Sequence, residues 1–355
     1  MSTQRAAGTR QGSILAELRE EIVSGKLRPG EPLPKRKELA SRFGTSNGTI
    51  QEAVDTLAEE GFVQAIRGKG TYVREDLPHL SRYGLVCPQT PKPNGHFSQF
   101  WRALAEAAGQ IEESGKCSLP IQDAEKYRPG GAEKLKSALQ KHTLGGLIFA
   151  DCPVLESHFE GHDIPRVSIA SAPRSADVPA VYVDVPRFME RAVQDLQEEG
   201  CRRVAVLSSH PGVDDVKHFE HLASRAGMQV PPYWKFAVNP TDGEALSTYV
   251  HLLMSHPDHR PDGIVISDDN LVGNATAGLQ AAGIRVPRDV KVVAETNFPA
   301  VPVSRVPVKR LGFDIVALLR VCVEKIQAMQ RGEAPEPMSY VEPVFEEELN
   351  GEVTK

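Results

Sequence analysis

Asn47, Thr49 and Gln51 alternate just after Ser46, amid six basic residues between positions 26 and 51: Lys26, Arg28, Lys35, Arg36, Lys37 and Arg42, against Glu31 and Glu38 alone. Further on, Arg67 and Lys69 stand in the string Arg-Gly-Lys-Gly that ends at Gly70. Lysine and arginine neutralise phosphates, and side-chain amides pair two-fold with adenine, so this set suits a nucleic acid. A solvated charged face has the same composition, and only the elements that hold these residues decide between the two. A second set is spread along the chain: Asp151, Ser171, Arg174, Ser209, Asp269, Thr296 and Asn297, with Phe97 and Trp101. Carboxylates, amides and hydroxyls beside aromatic faces suit a neutral polyhydroxylated ligand.

Neither set is catalytic. No G-x-G-x-x-G follows the first strand of the larger part, and there is neither a phosphate-binding G-x-x-x-x-G-K-[ST] nor a G-x-S-x-G elbow. His218 and His221, three apart below Asp214 and Asp215, could hold a metal on a helix, but a solvated polar face is the plainer account. His158 and His162 are four apart, with Gly161 and Pro165 against a helix there. The expectation is no catalytic residue, no metal and no cofactor.

The 355 residues suit two or three domains, and 40% hydrophobic with 25% charged residues excludes a largely disordered chain. No run of about 18 apolar residues occurs, so no membrane span is expected. The first residues, Met-Ser-Thr-Gln-Arg-Ala-Ala-Gly, lack the apolar core of a secretory signal. Five scattered cysteines without a CxxC pair read as reduced thiols of a cytoplasmic protein. The formal net charge of −6 is uneven: residues 1–76 carry +1 and the remainder −7. A basic patch on an otherwise acidic chain suits a polyanion at one end only.

The elements follow from the patterning. Ile14, Leu15, Leu18, Ile22 and Val23 fall on one helical face, with Ser13 as the expected N-cap and Gly25 as the stop. Three prolines and a glycine then forbid a helix up to Pro34. A short helix is expected over 36–43, ended by Gly44. Thr45 lies in the turn, and Ser46 caps a third helix running to about Glu60. Phe62–Ile66 and Thr71–Val73 read as strands of a hairpin with a cationic tip. Three helices and a basic-tipped hairpin make a winged helix-turn-helix, whose third helix offers its first turns to base edges while the wing reaches phosphate. Lys35, Arg36, Lys37, Thr45, Ser46, Asn47, Thr49, Gln51, Arg67, Lys69 and Gly70 are the candidate DNA-binding residues.

The strings Gly25-Lys26-Leu27-x-Pro29-Gly30, Leu33-Pro34-x-x-x-Glu38-Leu39-Ala40, Ser46-x-x-Thr49, Ala53, Leu57, Gly61 and Gly68-x-Gly70-x-x-Val73 resemble the GntR family of bacterial transcription regulators. The resemblance covers about residues 12–74. Where such proteins usually carry arginine, this chain has Lys37, Asn47 and Gln51. The resemblance therefore implies DNA binding to an operator unlike the family's usual one.

Beyond a linker at 75–82, strands alternate with helices. Strands are expected at Tyr83–Cys87, Ser118–Ile121, Leu147–Phe149, Arg166–Ile169, Val181–Val183, Val204–Leu207, Lys235–Val238, Ile264–Ile266 and Val290–Ala294. Helices are expected near 98–114, 132–141, 186–199, 215–227, 242–256, 270–282 and 314–331. Such alternation implies α/β architecture with two doubly wound, parallel-sheet lobes and a ligand at the strand C-termini between them. Tyr-Gly-Leu-Val-Cys-Pro (83–88), Val-Tyr-Val-Asp184, Glu-Glu-Gly-Cys-Arg-Arg-Val-Ala-Val-Leu (198–207), Asp268-Asp269 and Ala-Gly-Ile-Arg-Val-Pro-Arg-Asp-Val (282–290) resemble the LacI/GalR effector domain, which is similar to periplasmic sugar-binding proteins. In that comparison Asp269 matches a sugar-contacting aspartate. Asp215 and Thr296 stand where the family has an arginine and an aspartate.

The expected organisation is a winged-helix domain over 1–74, a linker over 75–82 and an effector-binding, dimerising, periplasmic-binding-protein-like domain over 83–348. The expected function is a homodimeric cytoplasmic repressor, controlled by a small molecule for which a sugar is the favoured class, on a pseudo-palindromic DNA operator. Two alternatives stand beside it: a dimeric regulator whose effector domain binds nothing, and a free solute-binding protein.

Overall fold

The computed structural model describes residues 2–88, 98–124, 132–162, 164–170, 178–209 and 213–351, with backbone alone for 2–9 and 213–215. The head begins with α1 (Ser2–Val23), which starts well before Ser13. Ser13 is therefore interior to the helix and not its cap, because the upstream Ala, Gln and Arg residues are themselves good helix formers. Gly25 follows in the left-handed region at φ 76°. Helices α2 (Arg36–Phe43) and α3 (Asn47–Glu59) are joined by Gly44 at φ 58°, a conformation that favours glycine. Ser46 caps α3 by accepting from the Thr49 N–H at 3.2 Å. Ile14, Leu18 and Ile22 of α1 pack on Leu39, Ile50, Ala53 and Leu57, and Phe62 closes this core.

The wing pairs β1 (Val63–Ile66) antiparallel to β2 (Gly70–Val73), with Val63 opposite Val73. The proline-rich segment also joins it: the Leu33 N–H donates to Thr71 O, and the Val73 N–H donates to Glu31 O. A short helix, α4 (Pro78–Ser81), lies in the expected linker. Leu77 before it is buried in the head core.

The larger part has two six-stranded sheets. The first lobe contains β3 (Tyr83–Cys87), α5 (Gln99–Glu113), β4 (Ile121–Asp123), α6 (Ala132–Gln140), β5 (Gly146–Ala150), α7 (Pro153–Ser157), β6 (Arg166–Ile169) and β7 (Ala180–Val183). The chain then crosses over through α8 (Val185–Glu198) into β8 (Val204–Ser208), α9 (Val213–Arg225), β9 (Lys235–Ala237), α10 (Gly243–Met254), β10 (Gly263–Ile266), α11 (Val272–Ala281), β11 (Lys291–Phe298) and β12 (Lys309–Asp314). It returns through α12 (Ile315–Gln330) to β13 (Met338–Val341), and crosses once more to β14 (Val344–Phe345) and α13 (Glu346–Leu349).

Sheet order is β13-β7-β6-β5-β3-β4 in the first lobe and β14-β12-β11-β10-β8-β9 in the second, with only β14 antiparallel. Central strands such as β5 are buried along their whole length, as parallel strands covered on both faces must be. Strands β12, β13 and β14 were not among the expected ones. The first opens with Lys309 and Arg310, and the others are short edge strands, β13 with alternate exposed positions and β14 of only two residues, so none shows a clean apolar run.

Two of the crossings share one device. Asp184 follows β7 and caps α8 through the Arg187 N–H at 3.0 Å, and Asp314 ends β12 and caps α12 through the Ala317 N–H at 3.0 Å. One apolar core runs through both lobes, from Leu85 and Ile148 to Val206, Val265 and Val293. Helix α12 packs against α5, β6 and β7 of the first lobe, although it leaves from a strand of the second.

Candidate nucleic-acid interface and effector cleft

The head sorts its cations into two groups. Arg42 donates to both oxygens of Glu21, at 2.9 and 2.7 Å, and to Glu17 at 2.5 Å, and Lys26 pairs with the same Glu21. Glu21 is buried, and its hydrogen bonds with Arg42 first, then Lys26, hold its carboxyl down to about 2 against the opposing effect of burial. Arg42 ties α2 to α1, and Lys26 brings the turn after α1 back onto the same carboxylate. By contrast, Lys35, Arg36 and Lys37 are exposed at the start of α2, and none forms an ion pair among the described residues. Arg67 and Lys69 are exposed at the wing tip, where Gly68 (φ 76°) and Gly70 (φ 123°) make the turn and the Lys69 N–H donates to Ile66 O.

On α3, Asn47 is exposed, whereas Thr49 and Gln51 are half-buried. The Thr49 hydroxyl lies 3.0 Å from the Ser46 hydroxyl, within the cap itself. Gln51 Nε2 donates to Asp55 Oδ1 at 2.5 Å, one helical turn on. Thr45 sits in the turn, its N–H donating to Ala40 O. Asn47 is thus the α3 side chain most open to a base edge, and Gln51 must leave Asp55 to reach one.

The second set of residues gathers only in part. Ser209, Asp269 and Asn297 come together at the C-terminal ends of β8, β10 and β11. The Ser209 hydroxyl donates to Asp268, whose other oxygen accepts from the N–H and the side-chain amide of Asn270, each at 2.8 Å. Asp268 therefore caps the 3-10 turn Asp269–Leu271 that leads into α11, which leaves Asp269 outside the cap. Asp269 is buried, and its Oδ2 accepts from Asn297 Nδ2 at 2.8 Å. The same amide lies 3.5 Å from Glu295. Burial is the main cause that raises Asp269 to about 7, with the charge of Asp268 adding to it against the Asn297 hydrogen bond. Glu295 is pushed well above its ordinary value by burial and by Asp269 and Asp268.

Thr296 is fully buried on the opposite face of β11, next to Gly312 of β12, where there is no room for a side chain. Trp101 is half-buried, edge-on to Phe100 at 5.3 Å, and packs against the shared core. Asp151 is exposed after β5 in the left-handed region at φ 50°. Phe97, Ser171 and Arg174 lie outside the described residues. His218 is half-buried and His221 exposed on α9, and no group of three metal-ligating side chains converges among the described residues.

Reading the sequence missed Glu295, Asn270 and Gln99. Glu295 escaped because β11 was expected to end at Ala294, whereas it runs to Phe298. Asn270 Oδ1 accepts from the Gln99 N–H of the first lobe at 2.9 Å, a contact between residues 171 positions apart. Nothing in the sequence marks this contact; in the structure Ser98, before α5, makes no side-chain cap.

Comparison with known proteins agrees with this architecture. Residues 10–73 match the family described as bacterial regulatory proteins, gntR family, and residues 193–345 match a periplasmic binding protein-like domain. The mannosyl-D-glycerate transport/metabolism system repressor MngR of Escherichia coli is 40% identical over 73 residues, which span 21% of this chain and 30% of that repressor's length. The arabinose metabolism transcriptional repressor of Geobacillus stearothermophilus is 23% identical over 300 residues, 79% of this chain and 80% of its own. Among solved structures, a LacI-family regulatory protein from Chloroflexus aggregans superposes with a TM-score of 0.58 at 17% identity, covering 74% of this chain and 96% of its own.

Proposed function

We propose that this chain, a GntR-type head joined to a LacI-like, periplasmic-binding-protein-like body, is a transcription repressor whose grip on DNA is set by a small molecule in the cleft between its lobes. The observation that carries the reading is the division of the head's cations: those at the start of α2 and on the wing face solvent, while Arg42 and Lys26 are spent internally. The DNA-contacting set is Lys35, Arg36, Lys37, Thr45, Ser46, Asn47, Thr49, Gln51, Arg67, Lys69 and Gly70. The named functions of the two relatives support sugar metabolism as the regulated process and a sugar as the effector class. The reading includes a homodimer on a pseudo-palindromic operator, acting in the cytoplasm, where that DNA lies. It assigns no catalytic residue.

Helix α12 supports a route between the sites. Its N-cap is Asp314, the residue paired with Phe298 of β11, and it ends at Gln330, whose Nε2 donates to His79 O at 2.7 Å and to Gly145 O at 2.9 Å. One rigid helix thus joins the second lobe's ligand-side edge to the carbonyl of the segment that bears the head. An effector acts only to the extent that it binds the two lobe arrangements unequally.

The bond from Gln99 to Asn270 favours a second reading, in which the lobes are held together without any ligand and the body only dimerises. Fluorescence anisotropy on operator DNA selected in vitro tests both. The first reading expects affinity to fall steeply with salt, Lys69→Ala to flatten the slope by about one unit, and a small molecule to change the affinity. Salt-independent binding overturns it. DNA binding that no small molecule alters leaves the second reading.

A further inference from the structure

At the C-terminal ends of β10 and β11 three carboxylates gather around buried Asp269 and Asn297, and every donor they meet among the described residues is a neutral amide or hydroxyl. Asp268, Asp269 and Glu295 contribute carboxylates, and Asn297 holds Asp269 and Glu295 together through its single amide nitrogen. That leaves Asn297 Oδ1 pointing nowhere: the residue is 3% exposed, and this oxygen has no hydrogen-bond partner. Gln99 Oε1, on the first-lobe residue whose N–H meets Asn270, is likewise buried without a partner. An orphaned buried acceptor is costly, and two at one lobe boundary mark a place completed by a donor from outside the chain.

We infer that the cleft binds a ligand carrying a protonated amine beside hydroxyl groups, an amino sugar or amino polyol, with the ammonium seated among Asp269, Glu295 and Asn297 Oδ1. The inference rests on the effector reading above and narrows its ligand class.

The geometry favours an ammonium over the other cations and over a neutral sugar. Among the described residues no three ligating side chains converge as a metal ion requires. An ammonium has three donors and no acceptor, which matches two carboxylates and an amide oxygen. A neutral hydroxyl brings one donor and leaves the cluster's proton in place, so it gains none of the charge pairing open to an ammonium.

The groups that face Asp269 are Asp268 and Glu295, both acidic, and Asn297 and Asn270, both neutral. Ser209 at the end of β8 is neutral and engaged with Asp268. On α5, Gln99 is neutral and Arg102 is exposed and paired with Glu106. On β12, Asp314 is engaged in capping α12. The positive end of α5 is taken up by Asn270 through Gln99. No basic side chain meets the cluster among the described residues. In the free protein the cluster therefore keeps a proton, and a bound ammonium takes its place.

The test compares aliphatic amino sugars and polyols with their neutral twins on the full chain by calorimetry at pH 6 and pH 7.5: 6-amino-6-deoxyhexoses against the hexoses, and 1-amino-1-deoxysorbitol against sorbitol. The expected result is at least one amine that binds about tenfold more tightly than its twin, or 1.4 kcal/mol. Its affinity should rise with pH, and its binding should release a proton into the buffer. Glu295→Gln should abolish both the preference and the proton release, with Asp269→Asn as the second variant should the first fail to fold. Equal or better binding of the neutral twins overturns the amine while leaving the effector reading intact. Binding by none of the amines overturns it too. Failure to bind any DNA would sink the regulator and not the cleft chemistry.

Discussion

Glu21 shows how one carboxylate decides which cations remain for a partner. It is buried between Arg42 and Lys26, and its folded value lies near 2, below the ordinary glutamate value near 4.5. The stabilisation it gives is complete above that ordinary value and is lost as pH falls through the folded one. The head should therefore lose stability on acidification from about pH 4.5 to 2, and Glu21→Gln should remove that slope in a pH series of denaturant melts. At neutral pH the same substitution should cost about 1.5–3 kcal/mol, the usual worth of a hydrogen bond to a charged group. Asp269 has the opposite sign. Its folded value near 7 lies above the unfolded one, so the native state holds a proton that the unfolded chain has released, and stability declines as pH rises from about 4 to 7. Asp269→Asn should flatten that decline and leave the ligand-free protein at least as stable as the parent at pH 8. A loss of stability at pH 8 would overturn this account of Asp269.

At the scale of elements, what can be read locally was legible. Apolar spacing located α2, α3 and the hairpin, and Ser46 and Gly44 mark ends that depend on one side chain and one φ angle. Strands such as β3 and β6 have the expected bounds because an uninterrupted apolar run needs no partner to be recognised. By the same logic β12–β14 were illegible: their charged or partly exposed positions make sense only beside partners at least 16 residues away. Helix α12 was legible as a helix but not as a connector, since Gln330 meets His79 and Gly145 only after folding. Gln330→Ala should leave calorimetric effector binding unchanged within about twofold while reducing the effector's influence on DNA affinity, a coupling whose full size is typically 1–3 kcal/mol. Full coupling in this variant would exclude α12 as the route.

For the whole molecule, a dimer on a two-fold operator should protect two half-sites whose centres are separated by about one helical turn of DNA, or a multiple of it, in a footprinting experiment. A single protected half-site would refute the two-fold arrangement. The order of the parts was determined by sequence alone: a basic winged head, then alternating strands and helices long enough for two parallel sheets. Those features rest on periodicity, turn residues and charge, which act over a few neighbouring residues. Tertiary structure alone decided which of these residues meet. It took Arg42 out of the basic patch by bringing α1 against α2, and it set Glu295 beside Asp269 by extending β11 beyond its apolar run. It also closed the first lobe on the second through Gln99 and Asn270. The physical reason is that a buried charge takes its meaning from whatever lies within a few ångströms of it, and such neighbours come from chain segments tens to hundreds of residues apart.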